Sequence, residues 1–288
     1  GSVMIRDRRE TKSNFLSLYL KESLLLGKVH TIFENSLNIQ FPVGLVHIGQ
    51  VGMALSPFGC LIEPKDFQQL HDQCQLGDIV RYKKGQFFLY TQKEIVKIAL
   101  DQFATKDLTI PKLELSAQEL KENSLYQLLE DTFFSLSIET GLPLNDTIRK
   151  GLRSLSEPYL KEKDSTDEEI IRLLIGRGIG LTPSGDDILI GYTFARILFQ
   201  KADTWQPKVA AALQKIKTTA ISEAYFNALL HGSINENFLH LAQLFDENNR
   251  KKINDELQML KRFGHTSGTD TLYGFAIGLQ YVQKETER

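Results

Sequence analysis

The sequence predicts an α+β protein, a small N-terminal β-barrel or sandwich followed by a mostly helical C-terminal domain, and three observations carry that prediction. Residues 28–105 are dense in short apolar runs separated by turn residues; after residue 116 helix caps and helical spacings take over; and the helical part contains one loop motif twice. A chain of 288 residues can bury a large core and suggests two domains. We place them at residues 1–110 and 111–288, with the break near residues 106–116, where Pro111 and charged residues interrupt the pattern.

Along the chain, residues 14–27 carry Phe15, Leu18, Tyr19, Leu25 and Leu26 at roughly helical spacing and end on Gly27, which predicts a short N-terminal helix. Val29-His30-Thr31-Ile32-Phe33 and Leu37-Asn38-Ile39 flank Glu34-Asn35-Ser36 as strands around a turn, and Leu45-Val46-His47-Ile48 adds another strand. Asp78-Ile79-Val80-Arg81-Tyr82 and Phe87-Phe88-Leu89-Tyr90 read as a hairpin in which Gly85 supplies the positive φ of a tight turn. Ser116-Ala117-Gln118-Glu119 is a capping box for a helix running towards Gly141, with Pro143 as its stop, and Ser165-Thr166-Asp167-Glu168 is a second box. Pro207 suits the first turn of a helix that reaches towards His231. Residues 238–245 carry an apolar stripe, and a further helix runs from Asn249 to Arg262, with Gly264 marking its end.

Composition narrows the function classes. Thirty-four Lys and Arg nearly balance 36 Asp and Glu, for a formal charge of −2, so no global field favours nucleic acid or an anionic membrane. Cys60 and Cys74 form no paired framework, which points to a reducing compartment and to buried thiols. No apolar run approaches the roughly 20 residues that span a bilayer, and no signal-peptide core is present. The expectation is a soluble, cytoplasmic protein without a nucleic-acid or membrane partner.

The repeated loop carries the chemistry. Residues 184–191 read Ser-Gly-x-Asp-x-Leu-x-Gly, and residues 267–274 repeat the pattern with every matching position 83 residues later. Each copy lies between two helices and presents a helix N-terminus, whose unpaired amides and dipole suit a phosphate or carboxylate. Gly178, Gly180, Ser184, Gly185, Ser267 and Gly268, with Thr182 and Thr266 beside them, are the expected anion cradle. A P-loop ending in Gly-Lys-Ser/Thr is missing, and Gly176-Arg177-Gly178-Ile179-Gly180 lacks a preceding strand, so neither nucleotide signature is met.

Asp186 and Asp187 would repel a lone anion and therefore ask for a positive partner: Mg²⁺, a ureido or amide N–H, or the Arg177 guanidinium. The plainer reading has one of them capping the helix and the other complementing its dipole. Asp187 has a counterpart in Asp270, whereas Thr269 stands where the copy would match Asp186. His265, beside Ser267 and Asp270, is the general acid or base candidate, with a structural role as the alternative. His30, His47, His71 and His240 lack ligand spacing, and His231 reads as a helix cap. Ser184 and Ser267 suit hydrogen bonding better than nucleophilic attack, since no nucleophile elbow is present. Gly191 and Gly274 fall inside the helices that follow the loops; glycine is costly there, so both helices are expected to need close backbone approach and to cross, bringing the loops together.

At these residues the chain resembles a known family. Gly178-Ile179-Gly180-Leu181-Thr182-Pro183-Ser184-Gly185-Asp186-Asp187-Ile188-Leu189-Ile190-Gly191 is similar to the signature of the AllH family, long filed under unknown function or as carboxylases. Gly264-His265-Thr266-Ser267-Gly268 with Asp270 and Gly274 resembles its C-terminal motif, and Thr218-Thr219-Ala220-Ile221-Ser222 its intermediate segment; Ile179 departs from the proline of the family's Gly-x-Gly loop. The resemblance implies a subunit that works with two others, one similar to the α subunit of succinyl-CoA synthetase, in carbamoyl transfer between oxalurate and phosphate during allantoin and purine breakdown. In that frame the loop amides and hydroxyls hold the anionic substrate or phosphate, and Asp186 and Asp187 accept ureido hydrogens or anchor Mg²⁺. Two other readings stand beside it: a non-catalytic binding or assembly subunit, and a stand-alone Mg²⁺-dependent enzyme acting on a small carboxylated substrate. Geometry separates them, because Asp187 and Asp270 across one open pocket favour catalysis and burial in a helix seam favours assembly.

Overall fold

A computed structural model of the chain describes residues 9–133, 142, 145–264 and 266–287, and divides it into two units. One runs to Thr109 and includes Ser233–Asn237; the other holds Ile110–Gly232 and the chain from Phe238 onward.

The first unit is built on nine strands: β1 (Thr11–Ser13), β2 (Leu24–Ile32), β3 (Leu37–Phe41), β4 (Gly44–Gln50), β5 (Gly59–Ile62), β6 (Ile79–Lys83), β7 (Gln86–Tyr90), β8 (Ile95–Ile98) and β9 (Ala104–Lys106). They form one sheet in the order β8-β7-β6-β2-β3-β4-β5-β1-β9, antiparallel except for the β4/β5 and β1/β9 pairs. The sheet curls into a half-barrel whose edges β8 and β9 stay unjoined. Alternation decides its inner face: Leu37, Ile39 and Phe41 of β3, Val80 and Tyr82 of β6, and Phe87 and Leu89 of β7 are all buried. Lys84 and Gly85, at φ 50° and 79°, form the tight turn expected between β6 and β7. Both cysteines are buried and unpaired, and burial pushes the Cys60 thiol up to about 12 and the Cys74 thiol up to about 11.

The helix expected over residues 14–27 is one turn, α1 (Leu16–Tyr19). Leu24, Leu25 and Leu26 instead enter β2 with exposed, buried, exposed alternation, and Gly27 is a strand glycine, where a Cβ would stand 2.4 Å from Gln40 O of β3. Cross-strand pairing overrides the local leucine spacing. A longer helix of this unit, α2 (Pro64–Gln73), starts on its proline and buries Phe67 and Leu70.

The helical unit comprises α3 (Ala117–Glu122), α4 (Ser124–Phe133), α5 (Asp146–Leu155), α6 (Lys163–Leu174), α7 (Ser184–Leu198), α8 (Gln206–Lys215), α9 (Ala220–Leu230), α10 (Glu236–Leu239), α11 (Leu241–Leu244), α12 (Arg250–Lys261) and α13 (Ser267–Thr286), with α10 beginning in the segment that belongs to the sheet unit. Helices α7 and α13 are buried on nearly every face over most of their length and form the core that the others cover. Ser116 and Glu119 make the expected capping box, but that helix breaks at Asn123 before α4; its projected end at Gly141 and Pro143 lies outside the described residues.

The second predicted box is not one. Helix α6 begins at Lys163, behind Glu162 in the left-handed region (φ 56°), and Ser165 lies inside it. Asp167 is buried against Lys163 (2.9 Å) and Lys208 (3.1 Å), so tertiary ion pairing rather than capping sets this helix start. The helix expected from Pro207 to His231 is two helices, because Thr219 caps α9 by accepting from the Ser222 amide (3.1 Å). Residues 238–245 likewise split at His240, whose ring faces Glu256 (3.6 Å).

Candidate functional site

The two loops meet because the helices behind them touch backbone to backbone. A Cβ on Gly191 would lie 1.9 Å from Thr271 O, and one on Gly274 would lie 1.9 Å from Ile188 O. Ile188 and Thr271 are themselves 83 positions apart, as are Gly191 and Gly274, so the contact is reciprocal and the two copies of the repeat face each other about a local two-fold. A Cβ on Gly278 would meet the Cβ of Ala195, again 83 positions away, at 2.6 Å. Touching residues thus keep a nearly constant offset, which means that α7 and α13 run parallel and start at the same end. The close approach expected from Gly191 and Gly274 is present, and the loops converge.

A second pair of glycines closes the arrangement. A Cβ on Gly185 would fall 2.0 Å from Leu174 O, and one on Gly268 would fall 1.8 Å from Leu260 O, so each N-terminus is pressed onto the end of the preceding helix. Their amides are consumed there: Gly185 N–H donates to Arg177 O (2.8 Å) and Gly268 N–H to Phe263 O (2.9 Å). Gly185 and Gly268 therefore pack the helices and cannot offer the amides expected of an anion cradle.

Gly176, Gly178 and Gly180 adopt φ values of 73°, 121° and 88°, which only glycine takes without strain, and they raise a tip where Ile179 is 89% exposed and Leu181 45% exposed. Asp186 braces the base of this loop. Its Oδ1 accepts from Gly176 N–H (2.8 Å) and its Oδ2 from the Thr218 hydroxyl, while the Thr219 hydroxyl donates to Leu181 O (2.5 Å). Burial raises the Asp186 carboxyl above its usual range, and the Thr218 and Gly176 bonds oppose that rise. Arg177 is not the partner of the aspartates: its Nε donates to Leu173 O (2.7 Å) at the end of α6.

Asp187 and Asp270 occupy the seam between the parallel helix starts, 4% and 0% exposed. Burial lifts the Asp187 carboxyl well above its usual range; the Ser267 hydroxyl opposes the lift, and the neighbouring carboxyls of Asp270 and Asp186 add to it. The Thr182 hydroxyl also faces Asp187, and its buried Oδ2 has no hydrogen-bond partner among the described residues. In so dry a place, beside a second carboxyl from the other repeat, the neutral acid is favoured over the charged form at Asp187. Ser184 is buried, Thr266 precedes α13 without a side-chain cap bond, and His265 lies outside the described residues.

This donor set does not fit Mg²⁺. Both Asp186 oxygens are committed to donors, and among the described residues no three His, Cys, Asp or Glu side chains gather as ligands. Burial of Asp187 and Asp270 in the helix seam is also the arrangement that favours the assembly reading over direct contact of these aspartates with substrate. Thr219 is the site residue whose structural role the residue pattern understated. Its spacing to Ser222 is an N-cap signal, and that cap places the start of α9 against the loop.

Residues 174–279 match the family model described as oxamate carbamoyltransferase subunit AllH, and residues 8–105 match the AllH family N-terminal domain. No solved structure matches the chain. The first match spans both repeated loops and the α9 segment that braces them, the second covers nearly all of the curled sheet, and together they take in most of the sequence. The chain belongs to the AllH family and is a carbamoyltransferase subunit.

Proposed function

We propose that this subunit works with partner subunits in moving a carbamoyl group between phosphate and a ureido acid such as oxalurate, giving oxamate and carbamoyl phosphate during allantoin breakdown. The observation that carries this reading is the reciprocal packing of Gly191 and Gly274, which joins two loops rich in hydroxyls and positive-φ glycines at one end of the helix pair. In the direction of oxalurate cleavage, a phosphate oxygen attacks the carbamoyl carbon, the bond from that carbon to the oxamate nitrogen breaks, and the nitrogen takes up a proton. The amides of Gly178 and Gly180 and the hydroxyls of Thr182, Ser184, Thr266 and Ser267 hold the anionic groups. Asp187, favoured as the neutral acid, is a positioning residue that meets the Ser267 and Thr182 hydroxyls and, by donating its own proton to one of them, leaves that hydroxyl's proton for the anion, while Asp186 holds the loop itself. His265 supplies the proton, since imidazole is the side chain whose ordinary range lies nearest neutral pH.

The second reading, an assembly subunit without contact to substrate, is favoured by the burial of Asp187 and Asp270 and by the apolar, exposed tip at Ile179. Reconstitution with the partner subunits separates the two. Carbamoyl phosphate formation from oxalurate and phosphate should fall at least about tenfold in Ser267→Ala and His265→Ala with complex size unchanged. Full activity in both intact complexes would remove the loops from the reaction, and loss of the complex together with activity would favour assembly.

A further inference from the structure

A cavity of about 890 Å³ opens between α5, α6 and α13, and none of the residues assigned to carbamoyl transfer lines it. Its floor is apolar, with Leu152, Ile170, Leu173 and Ile277. Tyr273 also lines it, and its buried hydroxyl has no hydrogen-bond partner among the described residues. Phenylalanine would fill that volume without an orphaned hydroxyl, so the tyrosine points to an acceptor that arrives from outside the fold.

The wall is cationic. Lys150, Arg153 and Lys161 line it, and Lys150 and Arg153 share one face of α5. The two acids in the lining are already held by cations from outside it: Glu157 by Lys284 (2.5 Å) and Glu169 by Arg172. No ion pair of Lys150, Arg153 or Lys161 is found among the described residues, so the cavity keeps a net positive wall. The charge of Arg153 is felt at the orphaned hydroxyl without a hydrogen bond: burial pushes the Tyr273 phenol up to about 12, and the guanidinium's charge opposes that rise.

We propose that this cavity is a second ligand site, for an organic anion whose carboxylate or phosphate meets Arg153, Lys150 and the Tyr273 hydroxyl while its apolar body covers Leu152, Ile170 and Ile277. A bare small anion would leave the floor wet, and an uncharged apolar ligand would leave the cations unmatched. The site stands apart from the carbamoyl-transfer reading and needs no partner subunit.

The test uses the full chain with anilinonaphthalene sulfonate as a fluorescent probe, competed by octanoate, octyl phosphate and octanol at fixed ionic strength. Saturable one-site binding is expected, displaced by an octyl anion and at least about tenfold less well by octanol. Displacement by octanoate alone identifies a carboxylate ligand, and by octyl phosphate alone a phosphate. Lys150→Glu with Arg153→Glu, both at exposed positions, should weaken the probe at least about tenfold with an unchanged melting temperature. Tyr273→Phe, which keeps the shape, should weaken it severalfold. Unchanged binding in the charge-reversed and Tyr273→Phe variants, or competition by octanol equal to that by the anions, would overturn the site. Because the readout is binding by the isolated chain, the outcome is independent of whether the loops take part in carbamoyl transfer.

Discussion

Asp187 couples the repeat to solution pH. Its carboxyl is raised in the fold, so the native state binds more protons than the unfolded chain; the neutral carboxyl's contribution is present below the ordinary value of 3.8 and is lost as pH rises through the raised one. Asp187→Asn keeps the shape and removes the charge. Its melting temperature should therefore gain on the parent as pH increases from about 4 to about 8, and a gap independent of pH would mean that Asp187 is ionised in the fold. Asp186 behaves differently, because its two oxygens serve Gly176 and Thr218. Asp186→Ala orphans both donors and should cost about 2–4 kcal/mol in urea unfolding. The adjacent aspartates were legible in the sequence as unusual, but their separate duties were not, since Thr218 stands 32 residues away.

Helices α7 and α13 depend on glycine as a shape rather than as a hinge. Gly191→Ala or Gly274→Ala drives a methyl to within 1.9 Å of a carbonyl oxygen, and each should cost more than about 2 kcal/mol by chemical denaturation. Because the two glycines share one seam, the double variant should cost less than the sum of the singles; strict additivity would show that the seam does not act as a unit. The repeat and its offset were readable, since glycine inside an apolar helix is conspicuous, and the parallel direction follows from the contacts. Other elements misled for identifiable reasons. Leu24, Leu25 and Leu26 join a strand because they pair with Lys83, Tyr82 and Arg81 of β6. Ser165 fails as a cap because Lys163 and Lys208 draw Asp167 inward.

Within the sheet unit, a segment from late in the sequence completes the structure. Ser233 bridges Thr109, while Glu236 accepts from Leu55 N–H (2.9 Å) and engages Lys106. Glu236→Ala should remove about 1–3 kcal/mol from that unit and speed amide exchange at Leu55 and in β9; unchanged exchange would mean that the returning segment is passive. No local pattern announces this return, because its partners lie more than a hundred residues upstream. By itself the sequence determined the α+β class, the hairpin at Gly85, the repeat with its paired glycines and the family, since alternation, turn chemistry and recurring motifs are local properties of the chain. Only the tertiary structure decided that the Gly185 and Gly268 amides turn inward, that Asp186 is committed while Asp187 shares a dry seam with Asp270, and that Ser233–Asn237 returns to the sheet unit. Burial and pairing depend on partners that folding brings from distant parts of the chain.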